Sequence, residues 1–435
     1  MTVARAVLFG VACLCAACAG GTRPGAVTPA EIPALVTQAH QQPNNGPVRF
    51  RLAATLMAAG RCDTAVVVAH AAELLAPTDA VGPLVVGGCQ EKDGRYDLAF
   101  ATYADFAAQH PDARGVGAVR AKAQLALRTQ AEQTARQALA SESTLTSQPP
   151  EPSTLAVLPV TIAGDSTFRP LSRGLAELIT SDLAMVRTLR LLERIQIGAL
   201  LDELKLGQSQ RGDPTTAVRV GRLLRAERMV QGVASIKADG PVSLSAAVVR
   251  GDGTVRSGAQ ASGTFKQLLD LEKQLVFGLA AQLGIQLTDA ERQRILRQGP
   301  RNLAAFLAYS EGLEALDRGD YGAAAAAFGA SVRADPSFQA AQQQQQAAQA
   351  APAVLASGGD VVSVVDAVEQ LTTPPEPASE AALASAGTDV SPSVADALTQ
   401  HTGGPTTQPD LTPASQGINS LTQASTILRI IFRRP

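Results

Sequence analysis

The chain has 435 residues, enough at roughly 100–200 residues per domain for two to four domains. Apolar residues make up 46% of it but aromatics only 3%, and tryptophan is absent, so its cores are built from Ala, Leu and Val in closely packed helices. Lys plus Arg number 37 against 39 Asp plus Glu, a net charge of -2 that excludes the cationic footprint of a phosphate-backbone binder.

At the amino end, Arg5 precedes the apolar stretch Ala6 to Leu14 and then small residues, which is the layout of a secretory signal peptide over residues 1–17. Leu14-Cys15-Ala16-Ala17-Cys18 resembles a bacterial lipoprotein box, with Cys18 as the lipidated first residue and Cys15 where leucine is usual. Ordinary cleavage after Ala19 is the alternative. The resemblance implies three acyl chains on Cys18, a permanent attachment compared with the reversible hold of one. Ala19 in second place is compatible with the outer membrane. Residues 18–45 then read as a tether.

Gly60, Ala65 and Pro77 recur about 34 residues later as Gly94, Ala99 and Pro111. The same offsets return as Gly319, Ala324 and Pro336, and Ala53, Gly87 and Gly312 stand seven residues before the three glycines. This pattern resembles the tetratricopeptide repeat, a helix-turn-helix in which small residues admit close helix contact. The resemblance implies helical hairpins over residues 46–141 and 301–340 whose grooves take protein partners. Residues 114–141 read as one long helix capping the first pair. Cys62 opens the second helix of the first repeat and Cys89 lies near the end of the next helix, so antiparallel packing makes them neighbours. A disulfide stabilising by about 3–4 kcal/mol and a pair of buried free thiols both fit.

Residues 142–153 contain Ser, Thr and three prolines and read as a linker. A second domain, 154–297, opens with the apolar strand Thr154 to Val160 and a helix with Leu171, Leu175, Leu178, Ile179 and Leu183 in period. Leu189 to Leu192 reads as a strand, and Ile195 to Leu204 and Thr216 to Arg225 as helices. Three strands follow, Arg228 to Ile236, Val242 to Val249 and Thr254 to Ser262, the last two joined by the turn Gly251-Asp252-Gly253. A helix with Leu268, Leu271, Leu275 and Leu279 in register closes the unit. The order predicts an α/β (α+β) fold, a sheet with helices packed on it, flanked by all-α hairpins.

Within this domain lie Glu193-Arg194 after a strand, Gly207-Gln208-Ser209 before Asp213-Pro214, a helix around Gly221, and the Gly232-containing strand MVQGVAS. Together with the opening LAVLPV, this stretch resembles the CsgG family of curli-assembly lipoproteins. The resemblance covers Thr154 to Arg297 and implies a cell-envelope protein that forms homo-oligomers, with Glu193 and Arg194 pairing across subunits or lying as a solvated pair. Asp213-Pro214 also reads simply as a helix start. Pore-forming members carry two long membrane hairpins, and nothing resembling them lies between Val230 and Phe265.

Residues 341–435 open on five glutamines, Gln342 to Gln346, and carry no Lys or Arg between Arg333 and Arg429. They read as a low-complexity, mostly disordered tail. The four histidines, at 40, 70, 110 and 401, do not sit at metal-ligand spacing with cysteine, and no nucleophile elbow, P-loop or Rossmann pattern occurs. Glu177, Asp182, Asp202 and Glu203 read as solvated helix faces. The expectation is therefore a non-enzymatic scaffold without metal or cofactor, anchored in the outer membrane at the periplasmic face. It binds protein partners and no nucleic acid. A secretion pore for curli-like subunits and an activator of a peptidoglycan synthase are the alternatives.

Overall fold

The structure is a computed structural model and describes residues 29–205, 214–237, 240–357 and 363–364. Cys18, Asp213 and most of the expected tail lie outside the described residues. Residues 29–41, expected within the tether, instead form a 3-10 turn and helix α1 (Ile32–Gln41), because Leu35 finds a buried place in the core that Phe50 anchors. Helices α2 (Gly46–Ala58) and α3 (Cys62–Glu73) follow, then α4 (Val81–Lys92) and α5 (Tyr96–Gln109). Asn45 starts α2 by accepting the Val48 N–H at 3.1 Å, which satisfies one of the orphan donors of a helix end.

Three helix turns are built alike. Gly60, Gly94 and Gly319 have φ of +76°, +71° and +74°, a left-handed conformation that costs glycine little. After each, the next N–H reaches back five residues, Arg61 to Leu56, Arg95 to Gln90 and Asp320 to Ala315, at 2.9, 2.8 and 3.0 Å. This is the Schellman closure of a helix. Gly87 and Gly312 leave room for aromatic rings of the following helix: a Cβ on Gly312 would stand 2.5 Å from the Phe328 ring, and one on Gly87 would overlap that of Tyr103. Ala65, Ala99 and Ala324 are fully buried at the matching helix crossings. Cys62 and Cys89 are disulfide-bonded, their Cα atoms 5.5 Å apart.

Helix α6 (Val116–Ala140) is 25 residues long and does not end the first array as a cap. Its first half packs into the core of α2–α5 through Val119, Ala123 and Ala126, while Ala135 and Ala138 belong to the core of the next domain. The expected linker is correspondingly short. It holds helix α7 (Glu142–Leu145), pinned where Arg219 donates to Glu142 at 2.7 and 2.9 Å, and then strand β1 (Glu151–Val157) begins three residues earlier than expected.

The sheet has six strands. Besides β1 these are β2 (Thr161–Gly164), β3 (Arg190–Leu191), β4 (Ala226–Ile236), β5 (Pro241–Arg250) and β6 (Val255–Thr264). Their order is β3-β1-β4-β5-β6, parallel among β3, β1 and β4 and antiparallel beyond. Strands β1 and β2 lie end to end along β4, pairing with its residues 226–230 and 233–236 respectively.

Successive residues alternate between two cores, as strand geometry requires. Leu155, Val157, Val230 and Val248 face helices α8 (Leu171–Leu183) and α11 (Leu268–Gln282). Ala156, Leu158, Met229 and Val249 face α9 (Arg194–Glu203) and α10 (Pro214–Leu223).

Helix α12 (Asp289–Arg297), started by a capping box of Thr288 and Glu291, leads out of the sheet domain. It is followed by α13 (Leu303–Asp317), α14 (Tyr321–Ala334) and α15 (Gln339–Ala356). Helix α15 corrects the expected start of the tail at 341. Ala341, Ala347, Ala348, Ala351 and Val354 are buried along one side of it, and its glutamines bind neighbouring helices. Gln124 Nε2 donates to Gln344 Oε1 at 2.6 Å, Arg120 donates to Gln346, and Gly329 makes space for the Gln345 amide.

Helix α15 packs on both α14 and α6, and α13 packs on α8. The two helical regions, separate in sequence, are thus one continuous frame, with the sheet domain inserted between α6 and α13.

Candidate functional site

A cleft of about 340 Å³ opens where frame and sheet domain meet, walled by α6, α8, α9 and the end of α13. Arg128, Glu132 and Arg136 stand on the α6 wall, the first two paired at 3.6 Å, and Asp202 and Glu203 on the α9 wall. Its floor includes Gly198, where an added Cβ would meet no atom within 4 Å.

At the closed end of the cleft is a charge cluster. Arg194, the first residue of α9, reaches Asp317 at 2.8 Å and Glu177 at 3.2 Å, and Arg173 also pairs with Asp317. Arg128 Nη2 donates to the Asp317 backbone carbonyl at 2.8 Å. Burial pushes the Asp317 carboxyl up, but Arg194 and Arg173 outweigh it and hold the group below its ordinary value. Burial opposes the Arg194 charge in the same way, and Asp317 and Glu177 overcome it. Glu193, which precedes α9, is pushed up to about 7 by burial and by Glu177, against the pull of Arg194. Burial likewise raises Tyr309, with Glu177 adding to it.

Arg194, expected either to pair across subunits or to lie solvated, is drawn into a cluster of its own chain. Its partners are in the same chain, on α8 and α13, because the frame returns to the sheet domain at that point. Glu177 is likewise a partner in this cluster and not a solvated face. Asp182 is corrected further, being fully buried between α8 and α11 with Glu272, while Lys273 Nζ lies 2.6 Å from Asp182 and 3.3 Å from Glu272. Burial and Glu272 push Asp182 well above the carboxylate range, against Lys273.

The remaining predicted residues are packing positions. Gly221 of α10 faces the Met229 side chain, and Gly232 of β4 lies under Val160, 3.3 Å from where its Cβ would be. Pro214 is the first residue of α10, as a helix start requires. Asp317, Arg173 and Arg128 were not anticipated, since nothing local in the sequence distinguishes them from other surface charges. A second groove of about 390 Å³, lined by Leu145, Leu192, Leu200 and Leu223, runs between α6, α9 and α10.

Residues 137–238 match the family model of the curli production assembly/transport component CsgG. This stretch is CsgG-like. The match begins in the last turn of α6 and ends beyond β4, short of β5, β6, α11 and α12, although the resemblance in sequence was read as far as Arg297. It covers less than half of the chain and leaves the helical frame outside. No curated protein matches the chain. The cleft therefore lies between the CsgG-like domain, which supplies Arg173, Arg194 and Asp202, and a frame that supplies Arg128 and Arg136.

Proposed function

We propose that the protein is a non-enzymatic scaffold of the cell envelope, in which a CsgG-like domain is carried inside a frame of tetratricopeptide-type hairpins that takes protein partners. The reading includes acylation of Cys18 and attachment to the periplasmic face of the outer membrane. The carrying observation is the cleft. Its innermost charges are consumed by internal pairing, while its mouth carries Glu132 and Arg136 on α6 and Asp202 and Glu203 on α9. Charges at fixed places around the mouth set the direction of an entering peptide segment and disfavour one lying the other way. Among the described residues, no nucleophile with a neighbouring base lines the cleft, so the arrangement favours recognition over catalysis.

The test is a photo-crosslinking residue at Gly198, used in cells and followed by mass spectrometry. The expected result is one protein partner, lost when Arg136→Glu reverses the charge at the mouth. Recovery of the chain without any crosslinked protein, in cells where it is abundant, counts against the scaffold. Ion conductance by purified rings in a planar bilayer would instead support a secretion pore, and stimulation of a purified peptidoglycan synthase would support the activator reading. Changing Cys18 to Ser should move the chain from the membrane to the soluble fraction.

A further inference from the structure

Among the described residues, eight large apolar side chains stand exposed, and four of them, Val36, Val67, Leu74 and Leu75, belong to α1, α3 and the turn after α3. Leu74 is 87% exposed, Leu75 42% and Val67 68%. Val67 and Leu74 are seven residues apart and so project from the same side of α3. The neighbouring α1–α2 turn is Gln42-Pro43-Asn44-Asn45, and a Cβ on Gly46 would lie 3.6 Å from that of Leu75. Gln42, Pro43 and Asn44 are exposed and uncharged, as are Pro77 and Thr78 beyond the leucines. The nearest ionisable pair, His70 and Glu73, is closed on itself at 2.9 Å. The Asp79 side chain is turned inward to accept the Val81 N–H at 3.0 Å.

This is a protruding leucine pair in a collar of amides and prolines that carries one cation, Arg49, whose Nε donates to the Pro43 carbonyl at 3.1 Å. Residues 19–28, an extended reach of at most about 35 Å, separate Cys18 from the start of the described chain, and helix α1, about 15 Å long, spans from there to the tip. We infer that this tip docks on the lipid surface, the leucines entering the boundary of acyl chains and headgroups and the amides meeting the headgroups. The inference rests on the lipid-anchor reading of Cys18. A tether of that length holds the tip at millimolar effective concentration to the bilayer, so a contact too weak to bind alone still sets the orientation of the frame.

The absence of tryptophan makes the test clean. A full-length mature chain with Cys18→Ser and an amino-terminal histidine tag is held on phosphatidylethanolamine/phosphatidylglycerol vesicles containing a nickel-chelating lipid. This reproduces the tether without requiring acylation. Leu74→Trp should then show a blue-shifted emission and at least two-fold quenching by brominated acyl chains, while Val255→Trp on β6 should show neither. A Val67→Trp reporter should lose its shift when Leu74→Asp and Leu75→Asp are added. Unquenched Leu74→Trp in vesicle-bound protein, or quenching of Val255→Trp in its place, overturns the proposal. The intact mass of the native chain reads the anchor separately, so a missing acyl group and an unquenched tip are distinct results.

Discussion

Asp317, the last residue of α13, accepts two hydrogen bonds from one guanidinium nitrogen of Arg194, the first residue of α9, each at 2.8 Å. The two residues are 123 apart in sequence and belong to the helical frame and the CsgG-like domain respectively. Arg173 joins from α8, so a single carboxylate bridges two arginines at the seam. Replacing it leaves Arg194 with Glu177 and takes from Arg173 its pairing with Asp317.

Asp317→Asn should therefore cost about 1–3 kcal/mol, the range for hydrogen bonds to charged groups that are partly buried. The urea midpoint should fall, and protease should cut sooner in the connection 298–302 than elsewhere. An unchanged cleavage pattern would show that the seam is held by packing alone.

The Asp182, Glu272 and Lys273 cluster predicts a pH dependence. Burial raises both carboxyls, Asp182 the more, with Lys273 opposing. A carboxyl raised in the folded state contributes stability that is full below its unfolded value, and loses it as pH climbs to the folded value. Stability should thus decline as pH rises above about 4. Asp182→Asn stays neutral at every pH and keeps a donor towards Glu272. Its melting temperature should fall less between pH 5 and pH 9 than that of the unaltered protein. An equal fall in both would reject the assignment.

Three glycine substitutions should rank by what their methyl groups meet. In Gly87→Ala and Gly312→Ala the group meets the rings of Tyr103 and Phe328, both fully buried. Overpacking outweighs the gain in helix propensity, for a net loss of about 1–2 kcal/mol each. Gly221→Ala meets the Met229 chain, which is also fully buried but has more rotatable bonds with which to yield, so its loss should be the smallest of the three. Denaturant midpoints decide the order.

The disulfide closes a loop with a sequence separation of 27, which in the chain-entropy account stabilises by about 3–4 kcal/mol. Cys62→Ala combined with Cys89→Ala should lose that amount. Reductant should lower the melting temperature of the unaltered protein and leave the double variant unmoved. Equal melting with and without reductant would indicate a bond that contributes nothing.

Which features were readable beforehand follows from the range of the forces involved. The turn glycines, the small residues at helix crossings and the alternating strands are local consequences of backbone geometry; the glycines and small residues stand at the expected positions, the longer strands near theirs, and the short β2 was not expected. The partner of Arg194 was not readable, because an aspartate at a helix end carries no local sign that a distant helix will meet it. Helix α15 was missed for a different reason. Five consecutive glutamines lower hydropathy and suggest disorder, yet here three of them, Gln344, Gln345 and Gln346, lie against α6 and α14, with Gln344 and Gln346 accepting bonds from Gln124 and Arg120. The sheet domain between the two helical regions hid the fact that they complete one another.

That completion imposes an order on biogenesis. A chain synthesised amino end first exposes α6 long before α15 exists, so the first hairpins wait with one flank uncovered through the synthesis of more than 200 further residues. Completion of the frame is therefore bound to the late synthesis of α15. Any factor that shields apolar helices in the interval gains a defined target, the face of α6 that carries Arg120 and Gln124.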